Sequence, residues 1–361
     1  MTRGFVGSPR RRALKTVARA ITGDCAVNSS TLVAPIPSPS CNPARGDAAR
    51  DAMQSSDEPV PGLSRLRALI LLSGAVREKS WTSDIRRSVL DLPLEAGRSI
   101  LGHWVGHVEN LCTAPGVDRL TLQVCVDRLS PMPELDRSGT GRGEFPSCQL
   151  RVERDPADYR GTGGVLRDLS VRYDDDDYLA VVTGPQVLSR PLRGVVVALA
   201  QRSLDAAVVC YDDGTSAGLV WVRCGCLKAL PDVGFVDLKE QALPLIGKRH
   251  RIEALRMAPL GMPVRTRAEY VNAVRQYHLR KRSDARTGDP FAEDWRPAFS
   301  IVEPGAHVDP SAQVHDSVVL KGGRVEAGAV VVRSVVGPDA VVRRGRPVVD
   351  QFVEATGRSG A

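Results

Sequence analysis

From Leu66 onward the chain breaks into short apolar runs separated by polar, helix-spaced segments. LRALILLSG (Leu66–Gly74), RLTLQVCV (Arg119–Val126), QLRVE (Gln149–Glu153) and YLAVVTG (Tyr178–Gly184) each read as a strand. GVVVALA (Gly194–Ala200) and AAVVCY, starting at Ala206, read the same way. Continuous apolar runs of this length suit strands covered on both faces. SILGHWVGHVENLC (Ser99–Cys112) and TGGVLRDLSVRY (Thr162–Tyr173) carry apolar residues at helical spacing. Strands alternating with helices predict a doubly wound α/β fold around a mostly parallel sheet. Ligands in such sheets bind beyond the carboxyl ends of the strands. That directs attention to Ser73–Gly74, to Thr183–Gln186 and to the loop opening the helix at Gly161.

A different rhythm runs from Ile301 to about Asp350. Val302, Val308, Val314 and Leu320 fall six apart, and Val325 and Val331 continue after a one-residue slip. Turn residues recur between them at Pro304-Gly305, Pro310-Ser311, Gly322-Gly323, Ala327-Gly328 and Gly337-Pro338. This period fits neither a helix nor plain alternation. It predicts a parallel β-helix in which each short strand packs one aliphatic inward. Two to three coils cannot stand alone, so the stack is expected to dock on the α/β domain or on another subunit.

Composition narrows the classes. The 361 residues are 42% apolar and 25% charged, which excludes wholesale disorder and a disulfide-knot scaffold. No apolar run is long enough to cross a bilayer. The net charge of +7 is concentrated in the first fifty residues, and no aromatic ladder accompanies the basic clusters Lys248–Arg251 and Arg280–Arg282. Neither nucleic acid nor a membrane is therefore expected as a partner. Eight cysteines include no C-x-x-C pair, which points to reduced thiols in a cytoplasmic protein and to no metal site. Residues 1–62 read as a basic, Ser/Pro-rich disordered tail. Lys15, Arg19 and Asp24 interrupt it, which argues against a secretion signal, and Met53 is a candidate native start. The expected divisions are 63–298 for the α/β domain, 299–350 for the β-helix and 351–361 for a second tail.

Several segments together resemble the sugar-1-phosphate nucleotidylyltransferases, including mannose-1-phosphate guanylyltransferases. ALILLSG stands at the family's first strand and glycine-rich loop. RSVLDLPLEAGRSILGHWVGHV (Arg87–Val108) is similar to the stretch following its phosphate-binding lysine. RGTGGVLRDL (Arg160–Leu169), YLAVVTG, GFVDLKEQALPLI (Gly234–Ile246) and TRAEYVNAVRQY (Thr266–Tyr277) match further segments in order. The resemblance implies a nucleotide-diphospho-sugar transferase-like sheet followed by a left-handed β-helix. It implies attack of a sugar 1-phosphate on a nucleoside triphosphate with release of pyrophosphate, aided by Mg²⁺, in the supply of surface polysaccharide precursors.

The family's devices are altered here. The loop reads SGAVREKS, leaving Ser73, Gly74 and Arg77 as its candidates, and Arg87 stands at the lysine position. By the resemblance, Arg77 and Arg87 would be the catalytic, phosphate-stabilising residues. Gly161, Thr162, Gly163 and Gly164 would approach the base, and Gly184 and Gln186 would line the nucleotide. The family's Gly-Asp pair reads Gly184-Pro185-Gln186, and its second metal aspartate aligns with Pro263. Mg²⁺ normally keeps at least one carboxylate ligand beside the substrate phosphates. Two readings therefore stay open: a divergent enzyme using Mg²⁺, or an inactive nucleotide-binding sensor or assembly partner. The short coils lead us to expect a homo-oligomer.

Other candidates read as structural. Asp174–Asp177 is expected to be a solvated loop at the amino end of its strand. His103 and His107 are expected to pack, and Cys224 and Cys226 to point to one side of a strand in the core. His307 and His315 are the only support for an acyltransferase on the β-helix.

Overall fold

The computed structural model describes residues 60–73, 85–134, 148–155, 159–257, 260–285 and 298–355. Residues 1–59 of the expected basic tail, Gly74 and Arg77 lie outside them. Seven strands form the central sheet: β1 (Leu66–Leu72), β2 (Leu120–Val126), β3 (Cys148–Arg154), β4 (Tyr178–Thr183), β5 (Ala206–Cys210), β6 (Ser216–Arg223) and β7 (Ile252–Arg256). Their spatial order is β7-β5-β6-β4-β1-β2-β3. All neighbours pair in parallel except that β6 runs against both β4 and β5.

The apolar runs are continuous because the sheet feeds two cores. Leu69 and Leu71 of β1 and Ala180 and Val182 of β4 face one core. Ala68, Ile70 and Leu72, with Leu179 and Val181, face the other. On the first face lies α1 (Ile100–Cys112), which packs Trp104, Val108 and Leu111. On the second lies α2 (Gly161–Ser170), with Val165, Leu166 and Leu169.

Gly194–Ala200 is not a strand. It belongs to helix α3 (Leu192–Ala200), where Leu192, Val195, Val196 and Leu199 are buried. That i, i+3, i+4, i+7 spacing is helical, and the run of valines had hidden it. Cys224 and Cys226 likewise sit on a short helix, α4 (Cys224–Lys228), rather than a strand, and both are fully buried. The last helix of this part is α5 (Arg267–Ala285), which buries Tyr270, Ala273 and Val274.

Ten short strands follow: β8 (Ser300–Val302), β9 (His307–Val308), β10 (Gln313–His315), β11 (Ser317–Val319), β12 (Arg324–Val325), β13 (Val330–Val332), β14 (Val335–Val336), β15 (Val341–Val342), β16 (Pro347–Val349) and β17 (Phe352–Val353). Each of the first seven pairs in parallel with the third strand after it, making three sheets, β8-β11-β14-β17, β9-β12-β15 and β10-β13-β16. Every such pair is 17 residues apart, as in Ile301 with Val318 and Val318 with Val335. The slip that makes 17 rather than 18 falls between Val314 and Val319, because Val319, not Leu320, faces the interior with Val325, Val331 and Val336. Val302 does not point into a closed interior; it is 42% exposed at the first turn of the stack. Ser317 and Ser334 mark one corner, where the Ser334 amide donates to Ser317 Oγ and the Gln351 amide to Ser334 Oγ, both at 3.0 Å.

The outer side chains of the β8-β11-β14-β17 sheet are apolar as well. Ile301, Val318 and Val335 join the core that contains Trp104 and Tyr270. The coils are therefore docked on the α/β part through this sheet, with Leu320 completing the contact. Among the described residues no helix is long and apolar enough to cross a membrane.

Candidate functional site

The order of the sheet reverses direction at β1, which lies between β2 and β4. Such a switch point opens a crevice at the carboxyl ends of the two strands leaving in opposite senses. Leu72 is the partner of Thr183 there. The Gly184 amide donates to the Leu72 carbonyl at 2.9 Å and the Ser73 amide to the Cys125 carbonyl at 2.8 Å. Ser73 and Gly184 are thus brought to the same edge.

Immediately beyond Gly184 the chain enters a two-stranded ribbon, Gln186–Leu188 against Gly261–Pro263, in antiparallel register. Gln186 and Pro263 are partners across it. The resemblance implies metal carboxylates where Pro185, the neighbour of Gln186, and Pro263 stand. The ribbon lies on α1: the Trp104 indole N–H donates to the Gln186 carbonyl at 2.9 Å, and His103 Nε2 lies 3.2 Å from the Leu188 carbonyl. The Pro185 carbonyl accepts from the Val264 amide at 3.2 Å. The buried Gln186 side chain fills the space over Gly261, where a Cβ would stand 2.7 Å from Gln186 Oε1. Pro263 brings no side-chain oxygen, and Gln186 brings a neutral one already packed in place. This pair does not fit Mg²⁺, a hard ion that favours free carboxylate oxygens.

The glycine-rich opening of α2 is held by its own chain. Arg160, nearly buried, makes a bidentate pair with Asp168 at 2.9 Å and donates to the Gly234 carbonyl at 2.8 Å. Its guanidinium holds the Asp168 carboxyl below the ordinary aspartate value. The amides of Gly163 and Gly164 both donate to the Val236 carbonyl, at 2.8 and 3.2 Å, and the Leu238 amide donates to Thr162 Oγ1 at 3.1 Å. Helix-start amides are the usual anion donors. Here two of them are satisfied internally. Gly161 has φ +69°, and a Cβ there would sit 2.6 Å from the Val236 carbonyl oxygen. The close approach these glycines permit is therefore to the Gly234–Val236 segment.

Arg87 lies elsewhere. Its Nη2 contacts both carboxylate oxygens of Glu303 at 2.9 Å, with side-chain exposures of 8% and 12% for the two residues. Glu303 follows β8, so the arginine at the family's lysine position joins the α/β part to the coils. Of the expected site residues, the fold gathers Ser73, Gly184 and Gln186 at one edge. It ties Gly161–Gly164 to the Gly234–Val236 segment and places Arg87 at the coil interface.

Asp174–Asp177 is not simply solvated. Asp177 is buried and pairs with Arg67 Nε at 2.8 Å, Asp175 pairs with Lys228 at 2.7 Å, and Asp176 lies 3.2 Å from Arg223 and 3.3 Å from Arg65. The run is spent on closing the amino edge of the sheet. His103 and His107 stack edge to face at 4.5 Å, and burial pushes them down to about 3 and about 4. They act as packed neutral rings. His307 and His315 stand on strands of different coil sheets.

One grouping escaped the sequence reading. Ligand atoms of Asp205, Cys226 and His250 all lie within 4.8 Å of one another. Asp205 precedes β5, Cys226 follows β6 and His250 precedes β7. The order β7-β5-β6 makes these strands neighbours, and the reversal of β6 brings its end to the edge where β5 and β7 begin. Only the strand order could have revealed this.

No family model matches the chain, and no curated protein matches it. Among solved structures, HddC from Yersinia pseudotuberculosis aligns with 13% identity and a TM-score of 0.43, over 59% of this chain and 100% of that one.

Proposed function

We propose that the chain is a divergent member of the sugar-1-phosphate nucleotidylyltransferase family that binds a nucleoside triphosphate at the β1/β4 edge without the two-carboxylate chemistry. It would serve in the cytoplasm as a sensor or an assembly partner, with a nucleotide-diphospho-sugar transferase-like sheet and a left-handed β-helix. The resemblance supplies the nucleotide and sugar-phosphate class. The seven-stranded sheet with one reversed strand, followed by three parallel sheets, is compatible with it. The observation that carries the reading is that Pro185 and Pro263 stand in the two places where the resemblance implies carboxylates, with Gln186, beside Pro185, paired to Pro263 across the ribbon. Transfer to a phosphorus depends on neutralising the charge of the triphosphate. Neither proline offers a side-chain oxygen for a cation, Gln186 offers only a neutral one packed over Gly261, and Arg87 is committed to Glu303.

The test uses the full chain with ATP, GTP, CTP and UTP, with and without Mg²⁺ and mannose 1-phosphate. Calorimetry follows binding, and a coupled assay follows pyrophosphate. The expected result is binding of at least one nucleotide, no pyrophosphate above the protein-free control, and loss of binding when Gly184→Trp blocks the edge. Mg²⁺-dependent pyrophosphate release would overturn the inactive reading, and failure to bind any of the four nucleotides would overturn the nucleotide reading.

A further inference from the structure

We propose that Asp205, Cys226 and His250 form a zinc site that staples the β7-β5-β6 end of the central sheet. It lies at the amino edge, opposite the nucleotide edge, and does not depend on the function proposed above.

The geometry argues for a shared ion rather than for a hydrogen-bonded trio. Asp205 Oδ1 lies 2.9 Å from Arg223 Nη2, and Oδ2 accepts the Arg251 amide at 3.0 Å. His250 Nδ1 stands 3.7 Å from Oδ2, beyond hydrogen-bond range. Zinc bonds of 2.0–2.3 Å in a tetrahedron set neighbouring ligand atoms about 3.3–3.8 Å apart. The imidazole and carboxylate already stand at such a separation, and the thiol needs a shift of about 1 Å at most by the same geometry. Imidazole, thiolate and carboxylate together suit zinc better than a hard ion such as Mg²⁺ or Ca²⁺.

Access to the site and support for its ligands are in place as well. Cys226 is fully buried, whereas the Asp205 and His250 side chains remain about a quarter exposed at 27% and 24%. An ion can therefore arrive from solvent, leaving a fourth position for water. Arg223, bonded to both Asp205 and Cys226, orients these two ligands. On binding, Zn²⁺ replaces the Cys226 thiol proton, which leaves to solvent, and the ion, thiolate and carboxylate sum to zero charge beside Arg223. The three ligands come from three separate connections. Coordinating them together would fasten β7, an edge strand whose residues are all part-exposed or exposed.

The experiment takes the full chain, stripped with a chelator, and titrates it with ZnCl₂ by calorimetry and with CoCl₂ by absorbance, alongside thermal unfolding. One zinc per chain, a raised unfolding temperature and a thiolate-to-cobalt charge-transfer band are expected. His250→Ala, a rim change that leaves the core intact, is expected to weaken zinc by well over ~100-fold, beyond the ~10–100-fold typical of losing an outer partner. Cys226→Ala should abolish the cobalt band, and Cys224→Ala, at the buried neighbouring thiol, should keep it. Zinc affinity unchanged in His250→Ala, or a cobalt band that survives Cys226→Ala, would overturn the proposal.

Discussion

Arg87 grips both carboxylate oxygens of Glu303 across 216 residues of sequence, and Glu303 in turn accepts the Lys321 amide at 2.8 Å. The neighbouring Arg86, at φ +53°, reaches Asp339 at 3.1 Å. Two successive arginines thus hold two turns of the coil. Arg87, which a phosphate-binding reading would place over a nucleotide, instead fixes, together with Arg86, how the two parts of the molecule meet.

Arg87→Ala should therefore act on stability. It leaves Glu303 nearly buried with no opposite charge, a loss of about 3–5 kcal/mol. Urea unfolding should show the drop, and Glu303→Leu combined with Arg87→Met should recover most of it. A variant of unchanged stability with weakened nucleotide binding would return Arg87 to the phosphate site.

Gly161→Ala tests the internal explanation of the glycine-rich segment. The left-handed backbone costs a side chain about 1–3 kcal/mol, and the clash with the Val236 carbonyl adds to it. The expected outcome is a lowered melting temperature, with faster exchange of the Gly163 and Gly164 amides as Val236 is pushed away. Unchanged stability would show that this contact is not made.

Acid should weaken the fold through His103 and His107. Both remain neutral in the folded protein down to about 3 and about 4, against an ordinary value of 6.5. Above pH 6.5 neither state binds these protons and the stability is complete. Below it the unfolded chain takes them up and the folded one does not, so stability falls between 6.5 and about 4. The slope is about 1.4 kcal/mol per pH unit for each histidine. Denaturant midpoints at several pH values should show it, and His107→Gln should roughly halve it. A flat profile over that window would contradict the burial of these rings.

Five of the seven central strands were legible, LRALILL and YLAVVT most plainly because both cores demand apolar residues there, whereas Ser216–Arg223 and Ile252–Arg256 were not foreseen. Leu192–Ala200 was not, since four β-branched or long aliphatic residues at helical spacing sit among others that are equally apolar. The coil period was readable, yet its slip was misplaced. Val319 and Leu320 are both apolar, one facing the coil interior and the other the α/β core, and hydrophobicity does not distinguish two destinations. At the candidate site, the edge position of Ser73 and Gly184 followed from strand ends. The Arg87–Glu303 pair and the Asp205–Cys226–His250 trio did not, because each depends on which strands become neighbours rather than on local spacing.

The constant separation of 17 residues between stacked partners also restricts how the chain length can vary. Removing a single residue from one turn would rotate every later side chain away from its row, sending interior valines to solvent and breaking the serine corner. Removing a whole turn preserves every row. Lengths in this part of the molecule are thus quantised, and viable insertions or deletions come in steps of one complete winding.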